Sequence, residues 1–292
     1  MTRLERFGWR GACEPGIARI VSAQGDYYHL VCNEAGGEII ARKKKSVFSK
    51  RVKTESESAG MKRVKRAEIG DEVLKPITGD FVRFRYNSQG ESMITAILPR
   101  FSHFERKDPT ARRKSQTLAV NFDTLFIMMS LNEDFSTARI DRYLTLAEDM
   151  GEAEAVIVLS KMDLYQKGDE EFIDELVETI GGRAKLLKIS ALTGEGMEGV
   201  LEYAKEGRTL AFIGSSGVGK STLLNTLAGE EWAATGEIQE WSGKGRHTTT
   251  SRELVILPSG AMIIDTPGIH EIGIIGEVED IRIKGESSHR YR

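Results

Sequence analysis

The sequence predicts two architectures in one chain: a small β-barrel, then an α/β domain whose mostly parallel sheet is covered by helices. Three observations carry this. Up to residue 99, apolar and polar residues alternate in short segments, and no helix of useful length is evident. From about Thr117 onward, strand-like and helix-like segments take turns. Between these regions, residues 100–116 are basic and poor in aliphatic side chains, as a linker is. Period-two alternation marks half-buried strands, whereas alternation of strand with helix marks parallel βαβ units.

Within residues 1–99, five segments have strand character: "GIARIVSA", "YYHLVCN", "GEIIARKK", "GDFVRFRY" and "SMITAIL". Glycine, asparagine and serine punctuate them ("AGG", "NSQGE"), as turns require. Five short strands predict a small antiparallel barrel; a five-stranded OB-like barrel is the first choice and an SH3-like barrel the rival. Residues 42–66 hold eleven Lys or Arg against two Glu and are expected to form a long loop between barrel strands. Arg42, Lys43, Lys44, Lys45, Lys50 and Arg51 are its candidate RNA contacts. Clustered cations bind phosphates, and OB loops commonly present a nucleic-acid surface. A solvated charged loop would have the same composition. Tyr27, Tyr28 and Phe48 could stack on bases or pack in the core.

The α/β region is assigned to residues 117–276. Its first strand, "TLFIMMS", is continuously apolar, as burial on both faces demands. In "ARIDRYLTLAEDMG", Ile140, Tyr143, Leu144 and Ala147 fall at helical spacing, with Gly151 expected as the cap. Strand "AVIVLS", helix "DEEFIDELVETIGG", strand "AKLLKIS", helix "GMEGVLEYAKEG" and strand "TLAFIG" follow. Then "KSTLLNTLAG" is helical, while "ELVILPS" and "AMIIDT" predict a strand pair.

Bulk properties bound the function. At 292 residues the chain is long enough for two cores. Apolar content of 40% and charged content of 29% exclude a disordered or fibrous chain. A net charge of −3 gives no overall pull toward nucleic acid, so any such contact must be local. Cys13 and Cys32 are too few for a four-ligand zinc site and suggest a reduced protein. No apolar run approaches the ~18 residues of a membrane span, and the N-terminus lacks a signal-peptide core. A cytoplasmic monomer without a membrane partner is expected.

The chemistry begins at "GSSGVGKST": Gly214, Ser215, Ser216, Gly217, Val218, Gly219, Lys220, Ser221 and Thr222. A strand precedes this P-loop pattern and a helix follows it, which is the required context. Its glycines let backbone N–H groups form an anion nest at a helix N-terminus. Lys220 would neutralise the β and γ phosphates, and the Ser221 hydroxyl would hold Mg²⁺. The pattern predicts nucleotide phosphates without specifying the base.

The base is specified by "SKMD", Ser160, Lys161, Met162 and Asp163, at the end of a buried strand. The Asp163 carboxylate can accept two hydrogen bonds from guanine, where adenine presents an acceptor instead. Lys161 can lay its aliphatic stem along the base plane. Ser160 stands where this motif usually carries asparagine. "SALTGEG" follows the next strand; Ser190, Ala191 and Leu192 belong to it, and the amides of the latter two could reach the guanine oxygen. In "IIDTPG", Asp265 suits a carboxylate touching Mg²⁺ through water, and Gly268 an amide touching the γ-phosphate. In the polar stretch "GKGRHTTTSREL", Thr249 is favoured to complete the Mg²⁺ shell, with Thr248 and Thr250 left open. The residue after Gly268 is Ile269, which cannot orient a water. The hydrolytic helper is therefore His247, a bound cation or a partner.

The base motif precedes the P-loop, the reverse of the usual order. Loops at the strands' C-terminal ends converge on one site whatever their order in sequence. Circular permutation can therefore re-cut the domain without dispersing the site. The motif order, the five-strand barrel, "GSSGVGKSTLLN", "GKGRHTTTSREL" and "DTPGIHEIG" together resemble the circularly permuted small ribosomal subunit biogenesis GTPases, the RsgA family. The resemblance covers roughly residues 16–276. It implies a circularly permuted P-loop GTPase domain with Mg²⁺ and an OB-fold touching rRNA. It also implies hydrolysis stimulated by the small ribosomal subunit late in its maturation, with His247 taking part. Family members continue into a zinc domain, but residues 277–292 diverge and no cysteine follows Cys32, so zinc binding is not expected. A GTP-dependent RNA-binding module with little hydrolysis is the alternative; an ATP-using enzyme is disfavoured by Asp163.

Overall fold

Five strands close a barrel at the N-terminal end: β1 (Ile17–Gln24), β2 (Tyr27–Cys32), β3 (Ile39–Lys43), β4 (Phe81–Arg85) and β5 (Ser92–Ile97). They pair in the order β1-β2-β3-β5-β4, and β4 returns to β1. The computed structural model describes residues 1–43, 75–106, 116–131, 135–229 and 252–265. Inside the barrel, Ile20, Tyr28, Leu30, Val82, Phe84 and Ile94 form its own core. The closed order fits the OB-like expectation. The barrel is mixed and not wholly antiparallel, because β3 and β5 run parallel. The cause is topological: β4 arrives beside β1, so β5, pairing antiparallel with β4, meets β3 in the same direction.

One short helix was not anticipated. α1 (Arg3–Arg6) is fixed by a capping box, in which Thr2 accepts from the Glu5 amide and Glu5 accepts from the Thr2 amide. Its Leu4 is fully buried with Ile17 and Phe81. Within the segment assigned as a linker, β6 (His103–Arg106) pairs antiparallel with β7 (Gln116–Val120).

The remaining strands are β8 (Thr124–Ser130), β9 (Glu154–Ser160), β10 (Lys185–Lys188), β11 (Thr209–Gly214), β12 (Arg252–Ile256) and β13 (Met262–Asp265). Their order is β10-β9-β8-β11-β13-β12, parallel throughout except for the antiparallel β12–β13 pair. Helices α2 (Thr137–Ala147), α3 (Glu170–Ile180), α4 (Met197–Leu201) and α5 (Lys220–Ala228) cover both faces. The period of two divides β8 between them. Leu125, Ile127 and Met129 pack with α2 and α3, while Phe126 and Met128 pack with α4 and α5. β1 also pairs with β12, through Ser22 with Glu253 and Ala23 with Arg252, so barrel and α/β domain share one eleven-stranded sheet.

Gly151 does not cap α2. The helix ends at Glu148 in right-handed geometry, and Gly151 sits farther on with φ +86°. There it bridges to Ser102, and a Cβ would lie 2.5 Å from the Phe101 carbonyl oxygen. Among the described residues no helix is long and apolar enough to cross a membrane.

Candidate nucleotide-binding site

β11 delivers the chain to Gly214, and α5 begins six residues later at Lys220. Between them Gly217 and Gly219 have φ of +76° and +90°, the left-handed turns that an inward-facing nest of amides needs. Val218 is buried beneath the loop, Ser215 and Gly219 are half-buried, and Ser216 and Gly217 are exposed. Ser221 and Thr222 lie half-buried in the first turn of α5. The Lys220 side chain folds back over the loop, and Nζ donates to the Gly214 carbonyl at 2.7 Å and the Ser215 carbonyl at 2.9 Å. Burial pulls its pKa down to about 8. Among the described residues the ammonium bonds these two neutral carbonyls and no carboxylate, which suits it to an arriving phosphate.

β9 ends at Ser160, which is buried. Its Oγ lies 2.5 Å from the Val218 carbonyl oxygen and 3.0 Å from that of Met129. The hydroxyl thus ties the end of β9 to the P-loop and to β8. Lys161 adopts a left-handed conformation with φ +61°, unusual for a side-chain-bearing residue. A Cβ on Gly219 would lie 3.9 Å from Lys161 Cε, so the Lys161 stem runs beside the P-loop. The Met162 amide donates to the Ile189 carbonyl at 3.0 Å, joining this turn to the next loop.

In that loop Ser190 is fully buried and donates from Oγ to Asp163 Oδ1 at 2.6 Å. The bond holds the carboxylate while Asp163 itself stays exposed to solvent. The Thr193 amide donates to Ser190 Oγ at 3.2 Å. Thr226 of α5 donates to the Ala191 carbonyl at 3.2 Å, and Leu192 is 78% exposed at the loop's tip. Three hydrogen bonds, Ser160 to Val218, Ser190 to Asp163 and Thr226 to Ala191, therefore assemble segments far apart in sequence. Each lies at or beyond the C-terminal end of a parallel strand, where such folds bind ligands.

Asp265 ends β13, which runs parallel to the P-loop strand in the register Leu210 with Ile263. His247, Thr249 and Gly268 lie outside the described residues, as do Lys44, Lys45, Phe48, Lys50 and Arg51. Of the basic stretch, Arg42 and Lys43 belong to β3. The Arg42 guanidinium sits 4.3 Å over the Tyr27 ring, bonds its hydroxyl, and pairs with Glu91 at 2.6 Å. Tyr27 is 41% exposed beside it, whereas Tyr28 is wholly in the barrel core.

A polar layer at the opposite end of the sheet is almost silent in the residue pattern. Asp123 accepts from the Thr209 amide at 2.7 Å and from Arg208 at 2.8 Å, and also pairs with Arg10. Asn121, the other described non-glycine with positive φ, donates to the Gly79 carbonyl and accepts from the Phe101 amide, both at 3.0 Å. The dipeptide "NF" ahead of an apolar run was the available signal, since asparagine tolerates the left-handed region.

Residues 97–275 match the family model described as RsgA GTPase. A Small ribosomal subunit biogenesis GTPase RsgA from Leptospira interrogans is 36% identical over 266 residues, covering 90% of this chain and 66% of the relative. Small ribosomal subunit biogenesis GTPase RsgA 2 from Lactiplantibacillus plantarum is 44% identical over 199 residues, covering 68% of this chain and 55% of the relative. The chain thus spans between about half and two-thirds of the length of these relatives. Among solved structures, YjeQ from Thermotoga maritima aligns with a TM-score of 0.61 at 27% identity, covering 88% of this chain and 76% of that one. YloQ, described as a circularly permuted GTPase, shares the fold with a TM-score of 0.54 at 18% identity over 89% of this chain and 74% of that one.

Proposed function

Because the chain belongs to the RsgA GTPase family, we propose that it binds GTP with Mg²⁺ and hydrolyses it on the small ribosomal subunit during late maturation. The observation that carries this reading is the Ser160–Val218 contact, which joins a base-reading motif to a phosphate-binding loop in permuted order. Asp163 reads guanine while Ser190 holds it, and Lys161 flanks the base. The Ala191 and Leu192 amides serve the guanine oxygen. Amides of the P-loop and Lys220 receive the phosphates. Ser221, with Thr249 and Asp265, would hold Mg²⁺, which would supply neutralisation of phosphate charge. The Gly268 amide meets the γ-phosphate, and His247 assists the attacking water. The barrel contacts rRNA through Arg42, Lys43, Lys44, Lys45, Lys50 and Arg51, and the protein works as a cytoplasmic monomer.

Support for the partner comes from the role that the relatives' names state, small ribosomal subunit biogenesis, and from the basic stretch adjoining β3. Single-turnover GTP hydrolysis with and without purified small subunits tests the reading. Stimulation of at least about tenfold is expected, in keeping with switch GTPases whose sites are completed by a partner. Normal GTP affinity without stimulation would instead favour a GTP-dependent RNA-binding module.

A further inference from the structure

Arg19 is the third residue of β1 and is fully buried. Its guanidinium leaves the barrel and enters the foot of the parallel sheet. Nη1 donates to Thr209 Oγ1 at 2.9 Å and to the Phe7 carbonyl at 2.6 Å, and lies 3.6 Å from Met262 Sδ. Nη2 donates to the Asn121 carbonyl at 2.8 Å. Thr209 is the first residue of β11 and Met262 the first of β13, and the two are register partners. Asn121 lies just before β8. At their far ends these strands finish at Gly214 of the P-loop, at Asp265, and beside Met129, whose carbonyl faces Ser160. One barrel side chain therefore touches the first residues of β11 and β13 and the turn that leads into β8, three strands whose far ends carry the proposed nucleotide site.

Packing alone does not explain this choice of residue. Among the described residues Arg19 forms no ion pair. Asp80 is engaged by Arg100 at 2.7 Å and Asp123 by Arg208 at 2.8 Å. Burial lowers the Arg19 pKa to about 9, so it stays charged at neutral pH. A buried charge without an ion pair is costly, and an apolar side chain would fill the space more cheaply. What an apolar residue cannot do is bond three separate segments at once with a rigid fork. A second connection runs alongside: β1 pairs with β12, the strand that follows the segment holding Thr249. Strands of four to seven residues are stiff rods of ~13–23 Å, long enough to carry a shift of the barrel to the site.

We propose that Arg19 is a positioning residue that couples the barrel's ligand to the nucleotide site through the starts of β8, β11 and β13. The identity of the two ligands, RNA and guanine nucleotide, rests on the function proposed above. The coupling is reciprocal, so nucleotide binding must alter the barrel as well.

Hydrogen exchange of the full chain with and without a non-hydrolysable GTP analogue and Mg²⁺ tests this in the free protein. In the wild type the analogue changes exchange in the P-loop and also in β1 and β2. Arg19→Met keeps the P-loop change and analogue affinity within about twofold, well below the usual range of allosteric coupling factors, but loses the β1–β2 response. Arg19→Lys retains the charge without the fork and loses the response too, which decides the matter if the Met variant does not fold. An undiminished β1–β2 response in a folded variant, or none in the wild type, overturns the proposal. In a parallel assay with small subunits, Arg19→Met keeps basal hydrolysis while its stimulation falls about tenfold. A wild type that shows the exchange coupling but no stimulation would remove the ribosomal reading and leave the role of Arg19 standing.

Discussion

Raising the pH should weaken nucleotide binding through Lys220. Burial among neutral carbonyls holds its ammonium at a pKa of about 8 in the free protein, down from 10.5. Phosphates bind the charged form and raise that pKa, so affinity is full below about pH 8 and declines as pH rises through it. With one proton involved, the dissociation constant for GDP should rise about tenfold between pH 7 and 9, or ~1.4 kcal/mol. The sign for stability is opposite. The unfolded chain holds the proton up to 10.5 while the folded one releases it near 8, so this group's contribution to stability increases between those values. Fluorescence titration with a labelled GDP at constant Mg²⁺ and ionic strength measures the effect, and Lys220→Met should bind more weakly with no such slope. A wild-type constant that stays flat from pH 7 to 9, or an equal slope in the variant, would show that Lys220 does not carry the pH dependence.

Other perturbations test the scaffold around the site. Ser160→Ala leaves two buried carbonyls with one fewer donor, which should cost about 1 kcal/mol of stability and weaken GDP binding about fivefold. Unchanged melting and affinity would deny Ser160 its linking role. Gly151→Ala forces a Cβ against the Phe101 carbonyl at positive φ, so about 1–3 kcal/mol should be lost while GDP affinity holds; an unaltered melting temperature contradicts this. Ile127→Ala, at a fully buried position in β8, should lower stability by about 2–5 kcal/mol in chemical denaturation, and a loss under 1 kcal/mol would contradict its core position.

The sequence announces what repeats or what chemistry constrains. Continuous apolar runs such as residues 124–130 identify strands buried on both faces, and all seven residues of that run are buried. The P-loop and "SKMD" are legible because phosphate and guanine each demand particular groups at fixed spacing, and their nearness follows from the parallel sheet. The α1 capping box was legible too, in "TRLE", but lies in a helix of four residues without a periodic face. The parallel β3–β5 pair was hidden because strand patterns carry no direction. Gly151 looked like a cap because it followed an amphipathic helix, whereas its φ serves a close approach to Phe101. Arg19 was hidden most completely. A lone arginine in an alternating strand looks like a solvent-facing position, and only tertiary packing buries it at the sheet's foot.

The proposed site is guanine-specific and is built from a base motif that precedes its P-loop. The most direct test is nucleotide competition in an Asp163→Asn variant. Exchanging the carboxylate for an amide should reverse preference from GTP to XTP by at least about a hundredfold, since each lost or gained hydrogen bond to a charged group is worth ~1.5–3 kcal/mol. Retention of wild-type GTP affinity and selectivity in the folded variant would contradict the account.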